Sequence, residues 1–240
     1  MRASRMLLAA LAAAQVAYGQ APGRRGAATT RALVGLMLAA SATEAAQARG
    51  ARRGALPVAA AGALGFAAEL HGVATGKPFG RYHYSGKLGP LVGGVPLLAA
   101  AAWAMMARPS WVVAGHLTAR RLPRIFLAAG ALTAWDVFLD PRMAREGYWT
   151  WPDGGRYEGV PASNFLGWWI TGADVFALWS LLDGEPPDAG DDEALVLYVW
   201  TWAAETFANA VLWRRPRVAA AGAVAMGAFA VPALRRRWRA

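Results

Sequence analysis

The sequence predicts an all-α protein, a polytopic transmembrane helical bundle of about seven or eight spans. Hydrophobic residues make up 56% of the 240 residues and charged residues only 17%, below the roughly 25% of soluble domains. The apolar residues form continuous runs that approach the ~20 residues a membrane-spanning helix needs. Because the charged residues lie mainly between these runs, we expect one integral-membrane helical domain over residues 1–240.

Eight apolar segments are the candidate spans. In chain order they cover residues 4–20, 31–48, 55–74, 90–107, 122–140, 162–182, 194–213 and 217–234. The first also resembles a secretory signal peptide, so its cleavage is the alternative to its retention as a span. Residues 110–119 are too short to span. We expect them to lie in the membrane interface or to extend the fifth span.

The net charge of +10 indicates contact with a membrane surface. It arises from 25 Lys and Arg residues against 15 Asp and Glu residues, in short clusters between apolar runs. This distribution is typical of anchoring near anionic lipid. We therefore expect membrane lipid as a partner and a multi-pass location in the cell membrane. No nucleic-acid-binding motif is present, and the absence of cysteine excludes disulfides and thiol catalysis.

The alternation of spans brings four polar residues to one membrane face. Lys and Arg are almost equally numerous on the two sides, so the positive-inside rule does not choose an orientation. The loops that follow the third and fifth spans nevertheless share a side. That side therefore receives Glu69, Asp136, Asp140 and Asn164. The acidic loop 183–193 lies opposite, and we expect it to be a solvated linker.

Asp136 and Asp140 are candidates for general acid catalysis. Their i, i+4 spacing puts them on one helix face, and we expect Pro141 to end that helix. Two neighbouring carboxyls at the edge of an apolar bundle do not both ionise easily, so one should stay protonated. Asp136, one turn further from solvent, is the first choice as proton donor, with Glu69 second and Asp140 assisting. The alternative is a structural ion pair with Arg81, Arg142 or Arg145.

Other polar residues lie within or beside apolar segments. Asn164 follows Pro161, where it either caps a helix or orients a water or an acid. Asp174 and Glu205 fall in the middle of spans, where ionisable groups are costly. We expect these two carboxylates to face the bundle interior or each other.

Aromatic residues crowd the loops on the side of the four polar residues. The default interpretation is an interfacial belt. The alternative is a wall that holds a flat polyene or stabilises a carbocation through the ring faces. The candidate substrate-binding residues are the aromatic Phe79, Tyr82, Tyr84, Trp135, Tyr148, Trp149, Trp151, Tyr157 and Trp168, together with Arg81 and His83.

Missing motifs limit the chemistry further. Three histidines cannot supply a di-iron site built from His boxes. The sequence also shows no pattern for a facial triad of two histidines and one carboxylate. The sequence contains no P-loop, dinucleotide fingerprint, G-x-S-x-G, H-E-x-x-H or Asp-rich motif for magnesium diphosphate. We therefore predict no metal site and no cofactor, and chemistry that runs on acids, water and aromatic rings.

Nine short motifs between about residues 60 and 180 carry a resemblance to a known family. In order they are ELHG (69–72), TGKPFG (75–80), YHY (82–84), LGP (88–90), GVP (94–96), DVFLDP (136–141), GYWTW (147–151), GVP (159–161) and NFLGW (164–168). The chain resembles the carotenoid-biosynthesis membrane family of carotenoid 1,2-hydratases and bisanhydrobacterioruberin hydratases. One departure is Glu158, where the family usually has an aromatic residue.

The resemblance implies a cofactor-independent carotenoid hydratase, a hydro-lyase. It would add water across the terminal 1,2 double bond of an acyclic ψ-end carotenoid and give a tertiary alcohol at C-1. Protonation at C-2 makes a tertiary cation that water captures. A lipid-soluble carotenoid is then the expected substrate, and other enzymes of the pathway are expected partners. A proton-coupled membrane transporter and a non-catalytic carotenoid-binding scaffold stay open as alternatives.

Overall fold

Eight α-helices dominate the computed structural model, which describes residues 2–20 and 26–239. In those ranges the helices are α1 (Ala3–Gln20), α2 (Ala27–Gly50), α3 (Leu56–Thr75), α4 (Leu98–Leu117), α5 (Arg121–Arg145), α6 (Ala162–Leu182), α7 (Asp192–Phe207) and α8 (Pro216–Arg237). Single π-helical turns, Ala51–Ala55 and Ala208–Leu212, follow α2 and α7. The predicted all-α class is confirmed.

Five helical stretches of the described chain are long and apolar enough to cross a membrane. They are Ala27–Thr75, which holds both α2 and α3, Arg121–Arg145, Ala162–Leu182, Asp192–Leu212 and Pro216–Arg237. The bundle is therefore a membrane bundle, as predicted. The expected count of seven or eight spans is slightly higher than this number.

A tight turn lets α3 run back along the bundle. Gly50 adopts a φ of 75°, which is open to glycine at little cost. A Cβ on Gly54 would lie 1.9 Å from the carbonyl oxygen of Ala45, so only glycine fits at this crossing. Glu69 near the end of α3 therefore lies at the same end of the bundle as Thr30 at the start of α2. We call this the site end.

The helix α4 differs from the predicted fourth span. Residues 91–96 form a hairpin of β2 (Leu91–Val92) and β3 (Val95–Pro96), and α4 begins only after it. The helix then continues through Arg108 and Pro109 to Leu117. The stretch 110–119 therefore lies mostly in α4, where residues 110–114 are buried, and it does not extend the fifth span. The buried Arg108 is held within this helix by tertiary partners.

Those partners form a buried ionic cluster at the opposite end of the bundle. The Nε of Arg108 donates to Oε2 of Glu44 at 2.9 Å, and its guanidinium also bonds Asp191. Asp183 lies 3.7 Å away, and Arg49 pairs with Asp191 as well. The prediction of a solvated linker at 183–193 is wrong for Asp183 and Asp191, because arginines from two other helices draw them inside.

Asp174 and Glu205 take different positions. Asp174 is exposed on the outer face of α6, since Thr171, Gly172 and Val175 occupy the inward positions of that turn. The prediction that it faces the interior is wrong. Glu205 is half-buried, 3.7 Å from a guanidinium nitrogen of Arg142.

The variant Arg108→Leu is expected to lose about 3–5 kcal/mol of stability, because its buried carboxylate partners would remain without a cation. Thermal unfolding in detergent, followed by circular dichroism, measures the loss. Arg81→Leu is the control, since the pair of Arg81 with Asp153 is exposed and should contribute little. Equal unfolding temperatures for the two variants would contradict the assignment of Arg108 as a buried anchor.

Candidate functional site

A stripe of small residues on α3 brings Glu69 into the bundle. Gly62, Gly65, Glu69 and Gly72 are spaced by three or four residues and so share one helix face. A Cβ on Gly65 would lie 2.1 Å from the ring of Trp103, so the glycine makes room for the indole. The carboxyl of Glu69 therefore lies beside Trp103, which projects from α4.

Three neutral donors hold the Glu69 carboxylate. The hydroxyls of Tyr82 and Tyr84 donate to Oε2 at 2.5 and 2.8 Å, and Nε1 of Trp103 donates to Oε1 at 3.1 Å. Burial raises the pKa of Tyr82 and of Tyr84 well above the ordinary value, and the negative charge of Glu69 is the second cause. Both hydroxyls therefore keep their protons and remain donors at neutral pH.

Asn164 joins the two aspartates of α5. Its Nδ2 donates to Oδ2 of Asp136 at 2.9 Å and also bonds Oδ2 of Asp140. Nε1 of Trp149 donates to Oδ1 of Asp140 at 3.1 Å. Oδ1 of Asp136 is buried without a hydrogen-bond partner among the described residues. Asn164 thus serves the acids with its side chain, and the helix-cap alternative does not hold for it.

No cation pairs with either aspartate in residues 2–20 and 26–239. Arg81 instead binds Asp153 on the surface. Arg142 lies near Glu146 and Glu205, at 3.6 and 3.7 Å. The alternative of a structural ion pair for Asp136 and Asp140 is therefore not what the structure shows. Two carboxyls that share one amide and lack a cation remain available for proton chemistry.

Pro141 does not end α5, contrary to the sequence prediction. The helix continues to Arg145 although proline offers no N–H to the carbonyl of Val137, four residues earlier. The hydroxyl of Tyr157 donates to that carbonyl at 3.0 Å and replaces the missing bond. Burial, followed by the charge of Glu158, raises the pKa of Tyr157 to about 12, so this donor stays protonated.

The loop that contains Tyr157 is fastened to the same helix end by an arginine. Nη2 of Arg215 donates to the carbonyl of Pro141 at 3.1 Å and to Oε2 of Glu158 at 3.0 Å. Glu158, the departure from the family pattern, adopts a φ of 53° there. An ion pair thus stands where the resemblance implies an aromatic residue.

Two aromatic loops close over the acids as one cover. The strand β1 (His83–Tyr84) pairs with β4 (Trp149–Thr150), so that His83 faces Thr150 and Tyr84 faces Trp149. The ring of Tyr84 meets the ring of Trp149 edge-on at 5.5 Å. The loops that follow the third and fifth predicted spans are thereby joined at the site end.

A small cavity of about 50 Å³ lies beneath this cover, and we call it the acid cavity. Glu69, Asp140 and Asn164 line it, whereas Asp136 is fully buried behind Asp140 and does not reach its wall. Its aromatic lining is Tyr82, Tyr84, Trp103, Trp149, Trp151 and Trp168. Since a water needs ~10–15 Å³ on this scale, a few waters or a small alkyl group fit.

A larger cavity of about 320 Å³ adjoins the acid cavity, and we call it the side cavity. Residues of α1, α2, α4, α5 and α7 and of the π-helical turn that follows α7 line it. Val34, Met105, Leu139 and Met143 line both cavities, so these four apolar side chains form the partition between them.

The predicted substrate-binding residues divide into three groups. Tyr82, Tyr84, Trp149, Trp151 and Trp168 line the acid cavity, and Trp135 lines the side cavity. Phe79, Tyr148, Tyr157, Arg81 and His83 line neither. Arg81 and His83 are exposed, and their polar groups bind Asp153 and Thr150. Phe79 packs beneath Tyr82, and the hydroxyl of Tyr148 bonds Thr30.

Sequence reasoning missed Trp103. Its indole stacks on Trp168 with centroids 4.0 Å apart and donates to Glu69. A single tryptophan in the run AAAAWAMM (99–106) was the available signal. In the described part of the chain, no group of three or more His, Asp or Glu side chains is placed to hold a metal ion.

Comparisons with known proteins agree with the resemblance in the sequence. The family described as "Carotenoid biosynthesis protein" matches residues 6–230. A bisanhydrobacterioruberin hydratase of Haloarcula japonica is 28% identical over 133 residues, which cover 53% of this chain and 45% of that protein. The chain thus aligns with less than half of this relative, and no solved structure matches. Because the family match covers most of its length, the chain belongs to the carotenoid biosynthesis protein family.

Proposed function

We propose that this protein is a carotenoid hydratase of the cell membrane. It adds water across the terminal 1,2 double bond of an acyclic ψ-end carotenoid and produces a tertiary alcohol at C-1. The observation that carries this proposal is the acid cavity, where Glu69 and Asp140 face one space with aromatic walls. The name of the Haloarcula japonica relative supports water addition to a carotenoid for that protein.

The Asp136–Asp140 pair supplies the proton in this mechanism. Two carboxyls joined by the amide of Asn164, with no cation beside them, hold one proton between them, since two negative charges repel strongly in an apolar site. Asp140 is the member at the cavity wall, so it delivers the proton to C-2 of the alkene. Asp136 shares the remaining negative charge from behind.

Aromatic rings and a second carboxylate complete the reaction. The cation at C-1 forms among the rings of Tyr84, Trp149 and Trp168, whose faces attract positive charge. Glu69 orients a water and accepts a proton as the water oxygen bonds to C-1. The proton then returns to the aspartate pair within the same cavity, so water alone is consumed.

Expression in a lycopene- or γ-carotene-producing host tests this function. We expect the pigment to gain the mass of one water per reacted end group, with the hydroxyl at C-1. Cells grown in oxygen-18 water should incorporate the label, because the oxygen comes from water. Unchanged pigment, or label that enters only from oxygen gas, would refute the hydratase proposal.

A further inference from the structure

We propose that the side cavity, continued by a groove between α1 and α7, binds the polyene chain of the substrate. The end group of the carotenoid then occupies the acid cavity. This inference rests on the proposed function and assigns a ligand to a part of the molecule in which only Trp135 was predicted to bind substrate.

The first argument is continuity between the two cavities. In the described chain, Val34, Met105, Leu139 and Met143 line both cavities, so the two spaces share this wall. Two of these four side chains are methionines, which are unbranched and adapt their shape more readily than other apolar residues. A hydrocarbon chain that leaves the acid cavity along this partition enters the side cavity directly.

The second argument is the shape of the space beyond. An outer groove lies along the same α1–α7 boundary, and Trp200 lines both this groove and the side cavity. Its middle is lined by Leu8, Ala12 and Val196. Its far end carries Arg5, Glu193 and Asp192, of which the first two pair with each other at 2.6 Å. Nε1 of Trp200 donates to Gln15 at 2.7 Å, which fixes the indole between the two spaces. Together the side cavity and the groove run along nearly all of α1, a helix that is about 27 Å long at 1.5 Å per residue. Such a long narrow space suits a rigid extended chain.

The third argument is the chemistry of the walls. The only charged groups that line the side cavity in the described chain are Arg142 and Glu205, which pair with each other at 3.7 Å. The guanidinium of Arg142 also lies 5.3 Å from the ring centres of Tyr18 and Trp213. Because these charges are already compensated, the remaining wall favours a hydrocarbon over a polar ligand.

The test fills the side cavity without changing the acids. Ala204→Phe places a ring in the side cavity, and Ala208→Phe does so one turn later if the first variant does not fold. Ala210→Phe is the matched control, since Ala210 is exposed and lines neither cavity. Each variant is combined with Asp140→Asn, which removes turnover, and is purified in detergent from a lycopene-producing host. Absorption spectra then give the carotenoid retained per protein.

We expect Ala204→Phe to retain at least 10-fold less carotenoid than the parent protein, and Ala210→Phe to retain the same amount. With Asp140 intact, Ala204→Phe should lose carotenoid hydration at least 10-fold but still hydrate a short acyclic terpenoid with the same terminal alkene. Such a molecule is small enough to need only the acid cavity.

The outcomes separate this inference from the hydratase proposal. Carotenoid that is retained by the parent and lost in Ala204→Phe supports the binding site even if no water is ever added. Equal retention in Ala204→Phe and Ala210→Phe overturns the inference, and so does a parent protein that retains phospholipid but no carotenoid. Hydration that is unaffected by Ala204→Phe overturns the inference while the hydratase proposal stands.

Discussion

Replacing Asp140 by asparagine is expected to reduce carotenoid hydration by ~10²–10⁴-fold, the usual contribution of general acid catalysis. Asparagine keeps the size of the side chain and can still accept from Trp149, but it has no acidic proton. Asp140 lines the acid cavity, so no other member of the aspartate pair is placed to deliver the proton. Hydrated pigment per unit of membrane protein, measured by mass spectrometry and immunoblot, gives the loss.

Asp136→Asn should have a similarly large effect, because the pair holds its proton jointly through Asn164. The sequence alone favoured Asp136 as the donor and a milder role for Asp140, so the two variants compare the two assignments. Asp153→Asn is the control, since this carboxylate lies in the loop that follows α5 and pairs with Arg81 on the surface. Near-normal hydration in Asp140→Asn, with none in Asp136→Asn, would mean that Asp136 reaches the alkene itself.

Glu69→Gln is expected to stop hydration to a similar extent, but at a different step. Glutamine cannot accept a proton from water, whereas the aspartate pair remains able to protonate the alkene. In deuterium oxide the variant should therefore exchange hydrogen at C-2 without forming the alcohol. Asp140→Asn should show neither exchange nor alcohol. Mass spectrometry of the recovered carotenoid measures both.

The tyrosines offer a graded control for this assignment. Tyr84→Phe removes one of the three donors to Glu69, and Trp103 and Tyr82 still hold the carboxylate. We expect Tyr84→Phe to lose only part of its carotenoid hydration, since a hydrogen bond to a charged group contributes about 1.5–3 kcal/mol. If Glu69→Gln also abolished the exchange at C-2, Glu69 would have to be the proton donor and the roles of the two sites would be reversed.

Much of the candidate site could be predicted because membrane spans alternate in direction. Acids near the ends of the third and fifth apolar segments must share a face, and the structure does place Glu69 near Asp140. The i, i+4 spacing of the two aspartates also required only helix geometry. Trp103 escaped prediction because its contact with Glu69 depends on the glycines of α3, which make room for the indole.

The sequence by itself determined the class of the protein, since long apolar runs leave a helical membrane bundle as the stable solution. It also determined that Glu69, Asp140 and Asn164 meet at the site end, through the order of the spans. Tertiary structure alone decided how Arg108 and Pro141 are accommodated inside helices. Arg108 stays inside α4 because Glu44 and Asp191 arrive from elsewhere in the chain, and Pro141 stays inside α5 because Tyr157 supplies a donor. These partners lie far away along the chain. The free energy of each interaction depends on both groups at once, so the sequence around either group does not reveal it.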